Sequence, residues 1–114
     1  MINKKNCWDL LLKMATVKLK KAEQQMAKAM SQLNNLKEKM VKLGEMRHEY
    51  KERLVLLEKG EHSIEKNLLF RKFISQVTSL EDRLNRDINT AISWVENTRN
   101  ICNAAEKERQ KFDF

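Results

Sequence analysis

From Trp8 to Leu57 the chain can be stepped alternately by four and three. The residues met are Trp8, Leu12, Ala15, Leu19, Ala22, Met26, Ala29, Leu33, Leu36, Met40, Leu43, Arg47, Tyr50, Leu54 and Leu57. Only Arg47 breaks an otherwise apolar or aromatic series. Such a repeat, held over about seven heptads, is the pattern of a long helix burying a narrow seam against another helix. Any activity assigned to the chain must therefore be one that a rod can perform.

A compact core would need several chain reversals, and the composition does not supply them. The 114 residues contain no proline and two glycines, and 34% are charged. Helix formers stand nearly everywhere and turn residues almost nowhere. The one credible reversal is Glu58-Lys59-Gly60-Glu61-His62-Ser63. Gly60 suits the left-handed conformation that ends a helix, and Ser63 suits the cap of the next. The expected fold is all-α, a long antiparallel two-helix coiled-coil hairpin over residues 1–114. Its first helix covers about 6–58, its turn about 59–63 and its second helix about 64–112. Asn6 is the expected first cap, with Asp9 near the positive end of the helix dipole. The competing structure is a dimer of longer helices.

The two halves of the first helix's seam are expected to differ in packing. From Ala15 to Ala29 one seam position is alanine three times running, so large residues of the second helix, among them Trp94, Val95 and Ile101, fall opposite small ones. Phe112 falls near Trp8, and Tyr50 meets Phe73 close to the turn. Gly44, inside the repeat but off the seam, marks a soft point. The second helix carries Phe70, Phe73, Val77, Leu80, Leu84, Ile88, Ala91, Val95, Cys102 and Ala105. The four-plus-four spacing at Leu80, Leu84 and Ile88 predicts a slip of the heptad there.

The chain carries a net charge of +7. Residues 1–60 hold fourteen lysines and arginines against seven acids, whereas residues 61–114 hold nine of each, so the excess lies on the first arm. Two cysteines in a hairpin of this register are too far apart to bridge, so free thiols are expected. The first residues do not read as a secretory signal, and no apolar run approaches the roughly 20 residues that span a bilayer. A cytoplasmic protein is the expectation.

No catalytic constellation stands out. There is no phosphate-binding glycine loop, no nucleophile elbow and no histidine pair at metal spacing. Carboxylates sit singly on helix faces, without the pocket that acid–base chemistry requires. The expectation is a non-enzymatic interaction protein with no cofactor and no metal. Two surfaces are candidates for its contacts. One is Leu43, Met46, Tyr50, Phe70, Phe73 and Val77, towards the hairpin end. Of these, Leu43 and Val77 fit plain core, whereas Met46 and Phe70 fall off the best seam and suggest an exposed apolar patch. The other is the basic strip Lys4, Lys5, Lys13, Lys18, Lys20, Lys21 and Lys28. Its lysines interleave with seam residues instead of preceding a zipper, which argues against a DNA reader. The narrow heptadic stripe argues against a membrane-lying helix. An acidic protein partner fits the strip better than nucleic acid or lipid.

The segment Lys-Leu-Gly-Glu-Met-Arg-His-Glu-Tyr-Lys-Glu-Arg-Leu (42–54) and the segment Asn-Leu-Leu-Phe-Arg-Lys-Phe-Ile-Ser-Gln-Val-Thr-Ser-Leu-Glu (67–81) resemble the FliJ/YscO family. These are stalk proteins of flagellar and virulence type III secretion systems. The shared pattern is a leucine, a spaced position and a tyrosine before the turn, then an aromatic-x-x-Phe-(Ile/Leu) run after it. Here those positions are Leu43, Met46 and Tyr50, then Phe70, Phe73, Val77 and Leu80. In length the chain looks more like the short virulence-system members of the YscO, EscO and invasion-locus kind.

The resemblance implies a coiled coil similar to that of the rotary ATPase γ-subunit. It implies a central stalk whose terminal end enters the hexameric secretion ATPase and whose hairpin end reaches the cytoplasmic domain of the export gate protein. Such a stalk promotes ATPase activity and protein export, peripheral to the apparatus at the inner membrane. On this basis the lysine strip is the expected ATPase-binding surface and the Leu43–Val77 group the expected gate-binding surface. Some family members also bind export chaperones, so the alternative is an adaptor or escort with no rotary role.

Overall fold

The computed structural model describes residues 4–60 and 64–113. Two helices account for nearly all of them: α1, Lys4–Lys59, and α2, Ile64–Phe112. They form the expected all-α antiparallel coiled-coil hairpin. Contacts divide the chain into two units, one of Met1–Leu33 with Ala91–Phe114 and the other of Asn34–Thr90. Each unit is built of an α1 segment and an α2 segment. The start of α1 differs from expectation: Asn6 lies inside the helix, and the first turn holds no acid. The Ser63 cap and the tip of the turn fall outside the described residues. Gly60 ends α1 without a positive φ, so the left-handed terminator predicted there is not used.

The α1 seam is as the repeat predicts. Every position from Leu12 to Leu57 in the four-three series is buried or half-buried, and Gly44 is the sole other residue of 12–57 on α1 that is not exposed. The helix runs through Gly44 without interruption, so the soft point leaves no break.

On α2 the buried row keeps eight of the ten expected residues and leaves out Phe73 and Leu80. It passes through Asn67, Phe70, Ile74, Val77, Glu81, Leu84, Ile88, Ala91, Val95, Thr98, Cys102, Ala105, Arg109 and Phe112, all buried or half-buried. Their spacing is an unbroken alternation of three and four, so no heptad slip occurs. Phe73 and Leu80 stand one residue before the seam positions Ile74 and Glu81, exposed on its flank. Phe70, expected off the seam, lies on it.

In the first unit alanines of both helices pack with Leu19 and Val95. Leu19, Ala22 and Ala105 form a buried cluster with Cys102 against it, and Ala29 is fully buried. Trp94 and Ile101, expected opposite the alanines, are exposed, and Val95 alone of that trio enters the core. Thr98 is buried too, its hydroxyl donating to the Val95 carbonyl at 3.0 Å, which satisfies the polar group within its own helix. At the chain ends Trp8 Nε1 donates to the Phe112 carbonyl at 3.0 Å, and the two rings meet edge to face at 5.2 Å. The last carbonyls of a helix have no partner within it, and here the indole supplies one. Cys7 is exposed and Cys102 half-buried, both as free thiols.

In the second unit the seam carries a charge pair. Arg47 Nε lies 3.3 Å from Glu81 Oε1, with the arginine side chain 42% exposed and the glutamate 14%. That oxygen is buried and receives no hydrogen bond, so the contact compensates its charge without aligned donor geometry. Arg47, an exception in the sequence, thus has a partner in the same seam. Nearer the turn, Arg71 on α2 reaches Glu58 on α1 at 2.9 Å.

Candidate functional site: two interaction surfaces

The first surface lies in the unit that holds the chain ends. Lys13, Lys18, Lys20, Lys21 and Lys28 are exposed along α1, as their positions outside the seam require. Lys5 is exposed as well, while the Lys4 side chain falls outside the described residues. Lys18 Nζ is paired with Glu108 Oε2 at 3.0 Å, across from α2. The charge of the strip is therefore carried outward chiefly by Lys13, Lys20, Lys21 and Lys28.

Within this strip sits something the sequence reading missed. Leu10, Leu11, Met14 and Val17 are all exposed and share a shallow, open groove with Lys13 and Lys21. The spacing 10, 14, 17 was a usable signal, since it places three apolar residues on one helical face that is not the seam. It was hidden because Leu10 and Leu11 run directly into the seam residue Leu12.

On α2 beside this surface, Arg109 donates to Glu106 Oε1 at 2.7 Å and approaches Asp113 Oδ2 at 3.3 Å. The hydrogen bond from Arg109 holds the Glu106 carboxyl below its ordinary range, helped by the guanidinium charge, and the same contact raises Arg109.

The second surface lies in the other unit, and its six expected residues do not act alike. Tyr50 on α1 sits between two α2 rings, with centroids 6.1 Å from Phe70 and 5.7 Å from Phe73. Tyr50 and Phe70 are half-buried seam residues, whereas Phe73 is 36% exposed. Val77 is only 5% exposed and belongs to the core, so it cannot offer a contact surface without unfolding. Leu43 is half-buried, and Met46 is exposed. The part of the group open to a partner is thus Met46 and Phe73 with the outer edges of Leu43 and Tyr50.

Leu80 extends this surface. It is exposed, one heptad beyond Phe73, and with Leu43 it lines an open groove bordered by Lys39, Lys42 and Arg83. Met46, Phe73 and Leu80 all hold the same position beside the seam on their helices, which is the side on which antiparallel partners flank one another. Neither surface is an enclosed cavity. Among the described residues no three His, Cys, Asp or Glu side chains gather as a metal site, and no helix is long and apolar enough to cross a membrane. What both surfaces can do is bind: one through cations around an apolar face, the other through aromatic and aliphatic side chains beside cations.

No curated protein and no solved structure matches the chain. The model of one family, described as the flagellar FliJ protein, matches residues 8–114 and so takes in both helices and both surfaces. The segments around Tyr50 and Phe73 that carry the resemblance lie inside that match. This chain belongs to the FliJ family of flagellar and type III export proteins.

Proposed function

We propose that the chain is the central stalk of a type III secretion system: a non-enzymatic rod that links a hexameric secretion ATPase to the export gate, promotes ATP hydrolysis and so promotes protein export. The observation that carries this reading is the family match over residues 8–114, which spans a hairpin with two chemically different exposed surfaces. The lysine strip of the first unit is suited to acidic walls of an ATPase ring, because exposed like charges steer an oppositely charged partner. The face at Met46, Tyr50, Phe73 and Leu80 is suited to the cytoplasmic domain of the gate protein, since exposed aromatic and methionine side chains are common anchors in interfaces.

The test is a hydrolysis assay with the ATPase encoded in the same gene cluster. Wild-type chain is expected to bind the hexamer and raise its rate. Lys13→Glu/Lys20→Glu/Lys21→Glu is expected to abolish the stimulation with helicity unchanged. Lys18 is left intact in this variant so that its pair with Glu108 survives. A chain that neither binds nor stimulates the hexamer removes the stalk reading. Binding to export chaperones without stimulation would instead establish an adaptor or escort.

A further inference from the structure

The four exposed apolar residues near the start of α1 have a geometry that the seam does not explain. With Leu12 and Ala15 as seam positions a and d, Leu10 and Val17 stand at f, Leu11 at g and Met14 at c. Those positions form an arc of about 100°, with Leu10, Met14 and Val17 on the outward side of the helix and Leu11 beside the seam, in the groove that Glu108 and Phe112 of α2 also line. The arc is continuous over two turns, on the order of 10 Å along the axis. The sequence suggests a single narrow apolar stripe, and the structure leaves this second one uncovered.

Cations border the arc on both sides. Lys13 and Lys20 stand at b along one border. Lys18 stands at g along the other, its charge shared with Glu108, the acid found at this rim. Lys21 continues the arc at its far end. A lysine at such a border can lay its methylenes along the apolar surface and carry its ammonium outward. This is the layout of a helix that lies in a lipid–water interface, with apolar side chains among the acyl chains and lysines at the headgroups. Two features favour a bilayer over a protein helix as occupant. The outward part of the arc, Leu10, Met14 and Val17, meets a flat surface along its whole length, whereas a single partner helix covers one border. The flanking charge is of one sign except at Glu108, which complements an anionic leaflet.

The geometry points to a peripheral lipid-binding site: Leu10, Leu11, Met14 and Val17, held between Lys13, Lys20 and Lys21, dock the first unit onto a bilayer rich in anionic lipid. Among the described residues no helix is long and apolar enough to cross that bilayer. The site overlaps the strip assigned above to the ATPase, so lipid and ring compete for it. The inference nevertheless stands apart from the stalk reading, since lipid binding requires no ATPase.

The experiment is co-sedimentation of the full chain with vesicles of mixed phosphatidylglycerol and phosphatidylcholine, beside vesicles of phosphatidylcholine alone. Binding is expected to the anionic vesicles only, and to be lost as salt approaches about 1 M, where charges are screened beyond about 3 Å. The variant Leu10→Gln/Met14→Gln/Val17→Gln changes three exposed positions, so its helicity should match wild type. Its partition to anionic vesicles should fall at least about tenfold. Failure of the wild type to sediment overturns the proposal, as does equal binding to both vesicle types. Undiminished binding by the glutamine variant also overturns it, since charge alone would then hold the chain. If the glutamine variant instead loses ATPase stimulation while wild type ignores vesicles, the arc belongs to a protein interface and the lipid site is refuted without touching the stalk reading.

Discussion

Replacing the seam pair Arg47–Glu81 tests the packing of the second unit most sharply, because its two halves should respond in opposite ways. At 3.3 Å the attraction is about 5 kcal/mol if the local effective dielectric is about 20. Desolvation opposes it by several kcal/mol per ion, and the arginine, 42% exposed, keeps part of its hydration. A coupling of about 3 kcal/mol is therefore expected from the full double-mutant cycle. Arg47→Leu leaves a glutamate that is 14% exposed and without its cation, with no hydrogen bond to Oε1 to soften the loss. Even after the gain from burying leucine, the hairpin should lose about 1–2 kcal/mol. Glu81→Leu strands an arginine that can turn to water, so it should be neutral or stabilising by about 1 kcal/mol.

The double variant Arg47→Leu/Glu81→Leu makes both seams apolar at this level and should gain about 1–3 kcal/mol. Thermal unfolding followed by far-ultraviolet circular dichroism reads these differences as about 4–8 °C per kcal/mol for a chain of this size. An Arg47→Leu variant as stable as wild type would refute the reasoning, because Glu81 could not then be desolvated in the folded seam. The same double variant should lose its lock on alignment. A seam charge pair opposes slipped or multimeric pairings, so sedimentation should show larger species that wild type does not form.

Gly44→Ala should raise stability by about 1 kcal/mol, since a Cβ there meets nothing within 4 Å and glycine is costly in a helix interior; an unchanged melting temperature would mean that the helix is locally open at that turn. Phe73→Ala and Val77→Ala should separate binding from folding. The first loses one ring contact and about 1 kcal/mol, while the second opens the core and costs about 1–2 kcal/mol, so only the first should weaken a gate partner with the hairpin intact. Acid should loosen the end of α2. Because Glu106 is held below its unfolded range, its contribution is full above the unfolded carboxylate pKa of about 4.3 and is lost as pH falls through the lower folded value. Hydrogen exchange near Ala105 to Phe112 should show that dependence in wild type and not in Arg109→Ala.

The fold was legible in α1 because a single apolar row competes with nothing else on that helix from Leu12 to Leu57. In α2 two rows overlap. Phe73 and Leu80 are strongly apolar, whereas Glu81, Thr98 and Arg109 hold seam positions, so counting apolar residues favours the flank over the seam. The true row becomes visible only when polar residues are allowed in it, as Glu81 is by Arg47 and Thr98 by its own backbone. The surfaces were legible in the same uneven way. Lysines announce an exposed face by charge alone, but exposure of Leu10, Met14 and Val17 depends on which side of α1 meets α2. Val77 stands in the family pattern yet fits plain core in the repeat, and its burial agrees with the repeat.

Trp8 and Phe112 are 104 residues apart, yet the indole closes on the last carbonyl of α2. Formed alone, such a contact would have to close nearly the whole chain as a loop, at a large entropic cost. Formed after Lys18 and Glu108 have met, it closes a loop of only ten residues on α1 and four on α2. The clasp should thus be among the last contacts made in folding and the first undone, and in a Trp94→Phe variant the fluorescence of Trp8 becomes an optical signal of the ends parting.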